Sequence, residues 1–356
     1  MENGSADWVD RALNTLRNQN RVRYLRPILP IDAVTVEFEG QRIHLFSSND
    51  YLGLSAHPAV CEGIADAARN IGMGPRGAAL VCGYTDRHAH LEATIAQLKG
   101  TESALLCPSG YQANVALLSA LGQPDAIIFS DALNHASIID GCRLARAEVI
   151  VYRHGDVGDL EAKLRAHPAK RQIVVTDEVF SMDGDHAPIA ELAYLKSRYG
   201  FSWIMDSAHS TLIFGECGGG LAQHHGVHEH VDFQVGTLSK AVGAHGGFVA
   251  TSHRSRHWLL NTGRAFIFST ALPIPVVAGA QAAIETAQNT PELREKLWQN
   301  VTQLADSVGH QAVGPIFPIT VGSENNALTL SHEVMTRGYH VPAIRPPTVP
   351  PDTCRL

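Results

Sequence analysis

The run Gly236-Thr237-Leu238-Ser239 delivers a single lysine, Lys240, and small residues follow it: Ala241, Gly243, Ala244, Gly246 and Gly247. The apolar stretch Val231 to Val235 precedes this run, so the lysine falls just past a strand end. An amine with so little bulk around it has room to bond covalently to a flat cofactor. An exposed lysine beside a turn has the same local pattern, so the meaning of Lys240 depends on what the other strand ends supply.

Those ends are informative. Pro108-Ser109-Gly110-Tyr111-Gln112-Ala113-Asn114 opens a helix, and a helix start with a glycine for close approach suits a phosphate. An ordinary capped helix start is the plainer reading, and no Gly-Lys-Ser/Thr follows to make it a Walker loop. In SDALNHASIIDG, His135 begins the next helix, where it either stacks on a flat ring or caps the helix. DEVFSMDGDHAP carries Asp177, Glu178, Ser181, Asp183 and Asp185; solvated turn chemistry accounts for most of them, and Ser181 is retained as a candidate. Asp206-Ser207-Ala208-His209 puts an acid and a histidine three positions apart at a strand end. An ionised Asp206 would hold a pyridine nitrogen protonated and make the ring an electron sink. An anion-binding helix, a stacking histidine, a strand-end aspartate and a lysine among glycines, in that order, specify a pyridoxal-phosphate site.

The elements that must position these residues can be read from periodicity. Short apolar runs are expected as strands at Ser103 to Cys107, Ala126 to Phe129, Glu148 to Tyr152, Gln172 to Thr176, Ser202 to Met205, Asp232 to Val235 and Gly247 to Ala250. Helical patterns such as Tyr111 to Leu121 and Ala190 to Tyr199 lie between them. The alternation predicts an α/β fold: a mainly parallel sheet between helices, with ligands at the carboxyl ends of its strands. Ahead of it come a helix over residues 6–20 and a hairpin turning at Glu39-Gly40; SSNDYLGLSAHP leads into the next helix. Residues 274–309 read as a long helical stretch interrupted near Pro291, followed by strand-like Ile316 to Val321, a helix over 326–337 and strand-like Tyr339 to Ile344. The expected division is 1–50 for the N-terminal helix and hairpin, 51–273 for the large cofactor-binding domain and 274–356 for a small α+β domain. Two strands and one helix leave that last domain short of sheet, so either the N-terminal hairpin completes it or it is incomplete at PPDTCRL.

Composition narrows the function classes. With 45% apolar and 18% charged residues, the chain reads as globular. A net charge of −7 gives no reason to expect nucleic acid or an anionic membrane as partner. Six scattered cysteines, with no C-x-x-C pair, argue against a disulfide framework and point to a reducing, cytoplasmic setting. No apolar run approaches the ~18 residues of a membrane span. The histidines of HHGVHEH (His224, His225, His228 and His230) have spacing that suits zinc, but a surface loop is the better reading, and no metal is expected.

The motifs SNDYLGLSAHP, GMGPRGAALVCGYTDRHAHLE, PSGYQAN, NHASIIDG, VFSMDGDHAP, DSAHST, GTLSKAVGAHGGF, FSTALP and AIRPPTVPP run in this order from about residue 8 to the last residue. In them the chain resembles the α-oxoamine synthases, pyridoxal-phosphate enzymes that condense an amino acid with an acyl-CoA. The resemblance implies an aspartate-aminotransferase-like fold (fold type I) and a homodimer with active sites at its interface. It is greatest to the biotin-pathway branch, which joins L-alanine to pimeloyl-CoA with loss of CoA and CO2. Members acting on other substrates, of the 2-amino-3-ketobutyrate CoA ligase, 5-aminolevulinate synthase or serine palmitoyltransferase type, are the near alternatives. A catalytically impaired fragment or silent partner subunit is the remoter one.

Carried over motif by motif, the resemblance implies that Lys240 binds the cofactor covalently, Asp206 pairs with the pyridine nitrogen and His135 stacks on the ring. His209 and Ser181 would lie near the phenolic oxygen. Ser109, Gly110, Tyr111 and Thr237 would hold the phosphate, and Ser269 and Thr270 would reach that of a neighbouring subunit. Lys240, His135, Asp206 and His209 form the expected catalytic set. Arg345 would take the amino-acid carboxylate, Arg26 would lie on the acyl-chain side and Asn49 would line the substrate cavity. Two departures stand out. Ser207 replaces the acid usual after the ring aspartate, removing a charge, and family members continue beyond PPDTCRL with a strand and a helix, so the small domain is expected to be truncated.

Overall fold

The computed structural model describes residues 7–356. Two compact units are present, one built from residues 49–315 and the other from the chain's two ends, up to Ser48 and from Ile316.

The larger unit is organised on seven strands: β1 (Ser103–Cys107), β2 (Ala126–Asp131), β3 (Glu148–Tyr152), β4 (Arg171–Asp177), β5 (Ser202–Asp206), β6 (Phe233–Thr237) and β7 (Gly247–Thr251). Their order across the sheet is β1-β7-β6-β5-β4-β2-β3. The pairs among β2 to β6 are parallel, and β7 runs antiparallel to both its neighbours. Parallel neighbours need a crossover of a dozen or more residues, and the segment 238–246 between β6 and β7 is too short for one. It turns back as a hairpin loop instead, and that loop carries Lys240. Leu238 N donates to Gly246 O (3.0 Å) and Gly243 N donates to Lys240 O (2.7 Å), so the loop is tied on both sides of the lysine. Gly243, at φ +69°, sits so close to the chain that an added Cβ would lie 2.4 Å from Ser55 N.

Alternate residues of the strands bury on each face. Leu105, Ile128, Ile173, Val175, Val235 and Val249 pack on the helix Gly110–Leu121, while Val174, Trp203, Met205 and Phe248 bury on the opposite face. A sheet covered on both sides leaves its strand ends as the place for polar groups to meet. Helix Ile274–Asn289, assigned to the small domain on sequence grounds, packs within this unit against helix Pro58–Asn70. The reason is a close crossing of small residues: a Cβ added at Gly279 would lie 2.7 Å from the Ile64 side chain.

In the smaller unit Thr35–Phe38 and Gln41–Leu45 form the expected hairpin, turning on Glu39 (φ 51°) and Gly40 (φ 76°). Leu29–Pro30 pairs antiparallel on one side of it and Tyr339–His340 pairs parallel on the other. Of the two alternatives left by the sequence, the N-terminal hairpin therefore does contribute the missing sheet. The late strands are shorter than expected: Thr320–Gly322 and Tyr339–His340 lie beside Pro318 and Pro342, which have no amide to donate. Cys354–Arg355 pairs with Thr320–Gly322. Among the described residues no helix is long and apolar enough to cross a membrane.

Candidate active site

The carboxyl ends of β4, β5 and β6 bring the central groups together. Register places Asp177 of β4 beside Asp206 of β5, and Asp206 beside Val235 of β6. Both aspartates are buried. Asp206 accepts the Asn114 side-chain amide at Oδ2 (2.6 Å) and the Ala208 amide at Oδ1 (2.9 Å). Asp177 accepts the backbone N–H of His135 (2.7 Å), and burial, followed by the charge of Asp206, pushes its carboxyl well above the usual carboxylate range.

The turn after β5 carries His209 inward, buried between Lys240 and Tyr51. Its Nε2 lies 2.7 Å from Lys240 Nζ, and its Nδ1 lies 2.8 Å from the Tyr51 hydroxyl. Burial lowers the proton affinity of the Lys240 amine, and the charges of Asp206 and Asp177 restore part of it. His209 is held well below the usual imidazole range, first by burial and then by the positive charge of Lys240. An amine with depressed affinity is the form that attacks a carbonyl carbon near neutral pH.

His135 caps the helix Ala136–Leu144, its Nδ1 2.7 Å from Ser137 Oγ. Capping and proximity to the strand ends therefore coexist in one residue, and burial lowers its affinity for a proton. The helix Gly110–Leu121 opens at Ser109, whose hydroxyl accepts the Gln112 amide (3.1 Å). The first-turn amides of Gly110 and Tyr111 have no acceptor within the helix, as at any helix start. Gly110 lies against Thr237, where a Cβ would come within 3.2 Å of the threonine Cβ, and a Cβ on Gly247 would meet the Ser109 and Gly110 backbone at 2.4 Å. Glycine at both positions keeps the helix start in close approach to the end of β6 at Thr237 and to the start of β7 at Gly247. Thr237 itself donates to Gly246 O (2.9 Å) and contacts Ser239 Oγ (2.7 Å). Ser181 lies half-buried in the turn after β4.

Ser269 accepts the Gln112 side-chain amide (2.9 Å), which ties it to the same helix start, and Thr270 beside it is exposed. Asn49 accepts a bond from the Tyr51 hydroxyl (3.2 Å). In the smaller unit, Arg26 and Arg345 line one 840 Å³ cleft with Arg17 and Arg23, over a floor that includes Val36, Ile43, Leu45 and Met335. The cleft thus joins an apolar floor to guanidinium groups. The histidines of 224–230 lie mostly at the surface, and among the described residues no group of three or more His, Cys, Asp and Glu side chains is arranged to hold a metal ion.

Sequence reasoning passed over several of these residues. Asp177 and Glu178 read in sequence as solvated turn residues, yet both are buried, and Glu178 accepts the Leu221 amide (2.8 Å). Tyr51 and Asn114 lay inside SNDYLGL and PSGYQAN without being singled out. Lys99, the last residue of the helix Asp86–Lys99, carries no sequence pattern that sets it apart.

With this geometry in place, the comparisons with known proteins are direct. The family model for aminotransferase class I and II matches residues 42–356. The chain belongs to the class I and II aminotransferase family. It is 47% identical to the 8-amino-7-oxononanoate synthase of Arabidopsis thaliana over 89% of this chain and 70% of that one. It is 44% identical to the 8-amino-7-oxononanoate synthase of Anaeromyxobacter dehalogenans, over 100% of this chain and 91% of that one. Among solved structures it is similar to serine palmitoyltransferase from S. paucimobilis with bound PLP, with a TM-score of 0.91 at 29% identity, over 98% of this chain and 91% of that one. The family fixes the α/β class that the strand and helix rhythm predicts and the fold-type-I architecture that the resemblance implies.

Proposed function

We propose that this chain condenses L-alanine with pimeloyl-CoA to give 8-amino-7-oxononanoate, CoA and CO2, with pyridoxal 5′-phosphate as cofactor. The observation that carries the reading is the Lys240–His209 contact beside buried Asp206, found in a chain whose relatives are 8-amino-7-oxononanoate synthases. The cofactor fits the residues present. Lys240 is an amine of lowered proton affinity, Asp206 is a buried carboxylate, and the glycine-lined approach of Gly110 to Thr237 leaves a helix start open to an anion.

When bound, pyridoxal phosphate supplies an electron-withdrawing ring that takes up the charge left as an amino acid loses its α-proton or its carboxylate. The residues divide the remaining work. Asp206 would hold a proton on the ring nitrogen, with Asn114 and Ala208 fixing the carboxylate in place. Lys240 would hold the cofactor and then take the alanine α-proton, for which its lowered affinity suits it. His209 would orient Lys240 and, with Ser181, face the ring oxygen; His135 would cover the ring face. Ser109, Gly110, Tyr111 and Thr237 would bind the phosphate. Arg345 and Arg26 would take substrate groups in the cleft of the smaller unit, whose apolar floor and guanidinium groups suit a chain that ends in a carboxylate.

A homodimer forms part of the proposal, with Ser269 and Thr270 serving a neighbouring subunit. Its support is an exposed apolar surface: Met73, Leu80, Val81 and Phe268 lie on two segments joined by the Ala78–Thr270 bridge and the Ala271 N to Gly77 O bond. Apolar side chains grouped in this way mark an interaction surface. The test supplies purified protein and pyridoxal phosphate with L-alanine, glycine or L-serine and a panel of acyl-CoAs, reading CoA release and product mass. Pimeloyl-CoA with alanine should dominate; dominance of palmitoyl-CoA with serine would overturn the reading.

A further inference from the structure

Lys99 closes the helix Asp86–Lys99 and lies fully inside the larger unit, 1% exposed. Its Nζ donates to Ser207 Oγ (2.8 Å), Thr211 Oγ1 (2.8 Å) and Gly219 O (2.7 Å). All three acceptors are neutral, which is unusual for a buried ammonium, since buried charges are ordinarily paired. The backbone is tied as well: Lys99 O accepts the Gln234 side-chain amide from β6 (3.0 Å). The residues it binds flank His209 on both sides, and Ser207 directly follows Asp206. Ser207 in turn donates to Val235 O (2.7 Å) on β6, the strand that leads to Lys240.

We propose that Lys99 is a positioning residue for the active site: its buried ammonium ties the 207–219 segment, which fixes Asp206 and His209, and sets a positive charge behind Asp206. The charged groups that act on it are Glu178, from the turn after β4, and Asp206, at the end of β5. From β7 the Phe248 ring faces it at 5.7 Å. Burial, opposed by those two carboxylates, brings its own affinity down to about 8, so it is charged at neutral pH. A hydrocarbon of similar length would fill the same space. What the ammonium adds is three directed bonds into the turn and a positive charge behind Asp206.

The inference rests on the cofactor assignment above, and the experiment separates the two. Holoenzyme is prepared as wild type, Lys99→Met and Thr211→Val, and three quantities are read: the pH titration of the cofactor's visible absorbance, kcat and KM for both substrates per bound cofactor, and the thermal midpoint. Lys99→Met removes a positive charge, so a proton near Asp206 is held more tightly and the absorbance midpoint should move up by about half a unit or more. Its kcat should fall about tenfold with little change in KM. Thr211→Val keeps the charge and loses the ammonium's bond to Thr211 together with the bond Thr211 Oγ1 donates to Ser207 O (2.8 Å), so kcat should fall about threefold without a midpoint shift. A change in thermal midpoint alone, with absorbance and kcat unmoved in Lys99→Met, would overturn the proposal. If Lys99→Met does not fold, an unaltered kcat in Thr211→Val overturns it equally. A wild-type protein with no visible cofactor absorbance would reject the cofactor assignment itself.

Discussion

Lys240 and His209 share a contact of 2.7 Å between Nζ and Nε2, although burial lowers the proton affinity of each and the charge of Lys240 lowers that of His209 further. The contact therefore holds one proton, not two. With the proton on Lys240, Nε2 of His209 accepts it and Nδ1 carries its own hydrogen toward the Tyr51 oxygen, 2.8 Å away. Tyr51 thus fixes the tautomer that leaves Nε2 free to receive the lysine. Replacing Tyr51 with Phe preserves the half-buried ring and removes that partner. A lost buried hydrogen bond of about 1–1.5 kcal/mol corresponds to roughly a tenfold fall in kcat. Steady-state kinetics of Tyr51→Phe with saturating cofactor check this, and wild-type kcat would show that His209 needs no such orientation.

Lys240→Ala removes the proposed attachment point and base together. The variant should bind pyridoxal phosphate without the absorbance of a covalent adduct and lose roughly 10²–10⁴-fold in turnover. Absorbance after dialysis, with mass spectrometry following borohydride reduction, reads the outcome. A cofactor still covalently bound would move the attachment site to another lysine.

Asp206→Asn and Ser207→Ala separate chemistry from support, though less cleanly than the sequence suggests. Asn at 206 places an amide where Asp206 now accepts from both Asn114 and Ala208, so one donor meets another in a buried site. Turnover should fall roughly 10²–10⁴-fold. Ser207 is not an idle neighbour: it is fully buried and takes a bond from Lys99. Ser207→Ala leaves a buried ammonium short of an acceptor and should lower stability by about 1–3 kcal/mol, with a loss of turnover at least about tenfold smaller than that of Asp206→Asn. Chemical denaturation and kcat on the two variants test the ordering.

Apart from the largely exposed edge strand β3, the strands were legible because both faces of the sheet are buried there, which makes each a compact apolar run. That is why Asp206, His135 and Lys240 are legible from the sequence. The hairpin at Glu39-Gly40 was equally legible, since positive φ at two successive positions leaves a turn signature. Helix Ile274–Asn289 was misassigned because its small residues pack on Pro58–Asn70, a relationship between segments some two hundred residues apart that no local pattern records. Tyr51, Asn114 and Lys99 escaped for a related reason. Their roles come from what stands opposite them in space, and a tyrosine, an asparagine or a helix-ending lysine has no periodic signature of its own. Asp177 was misread because a strand-end acid and a solvated turn acid look alike until the register sets Asp177 beside Asp206.

The exposed group of Met73, Leu80, Val81 and Phe268 sets a prediction about assembly. Val81 and Phe268 are 80% and 72% exposed, so charging them costs little in a monomer. Val81→Glu combined with Phe268→Glu should leave the thermal midpoint of an isolated chain nearly unchanged while weakening self-association and, with it, cofactor retention through Ser269 and Thr270. Sedimentation velocity together with cofactor content checks both. An unaltered oligomeric state would place the subunit contact elsewhere.

The pH dependence of stability offers a separate reading of Lys99. Its affinity in the folded chain is about 8, against an ordinary value of 10.5. Between those values the unfolded chain binds the proton and the folded chain does not, so stability rises with pH across that window. Below it the folded state bears the full cost of a buried ammonium, which for a depression of this size is about 3 kcal/mol. Lys99→Met has no such group. The difference in unfolding free energy between wild type and Lys99→Met should therefore shift in favour of wild type as pH goes from about 8 to 10.5, while other titrating groups cancel between the two. Urea unfolding of both proteins at several alkaline pH values measures it. A difference that stays flat across the window would mean that Lys99 keeps an ordinary affinity, with Glu178 and Asp206 compensating its burial in full.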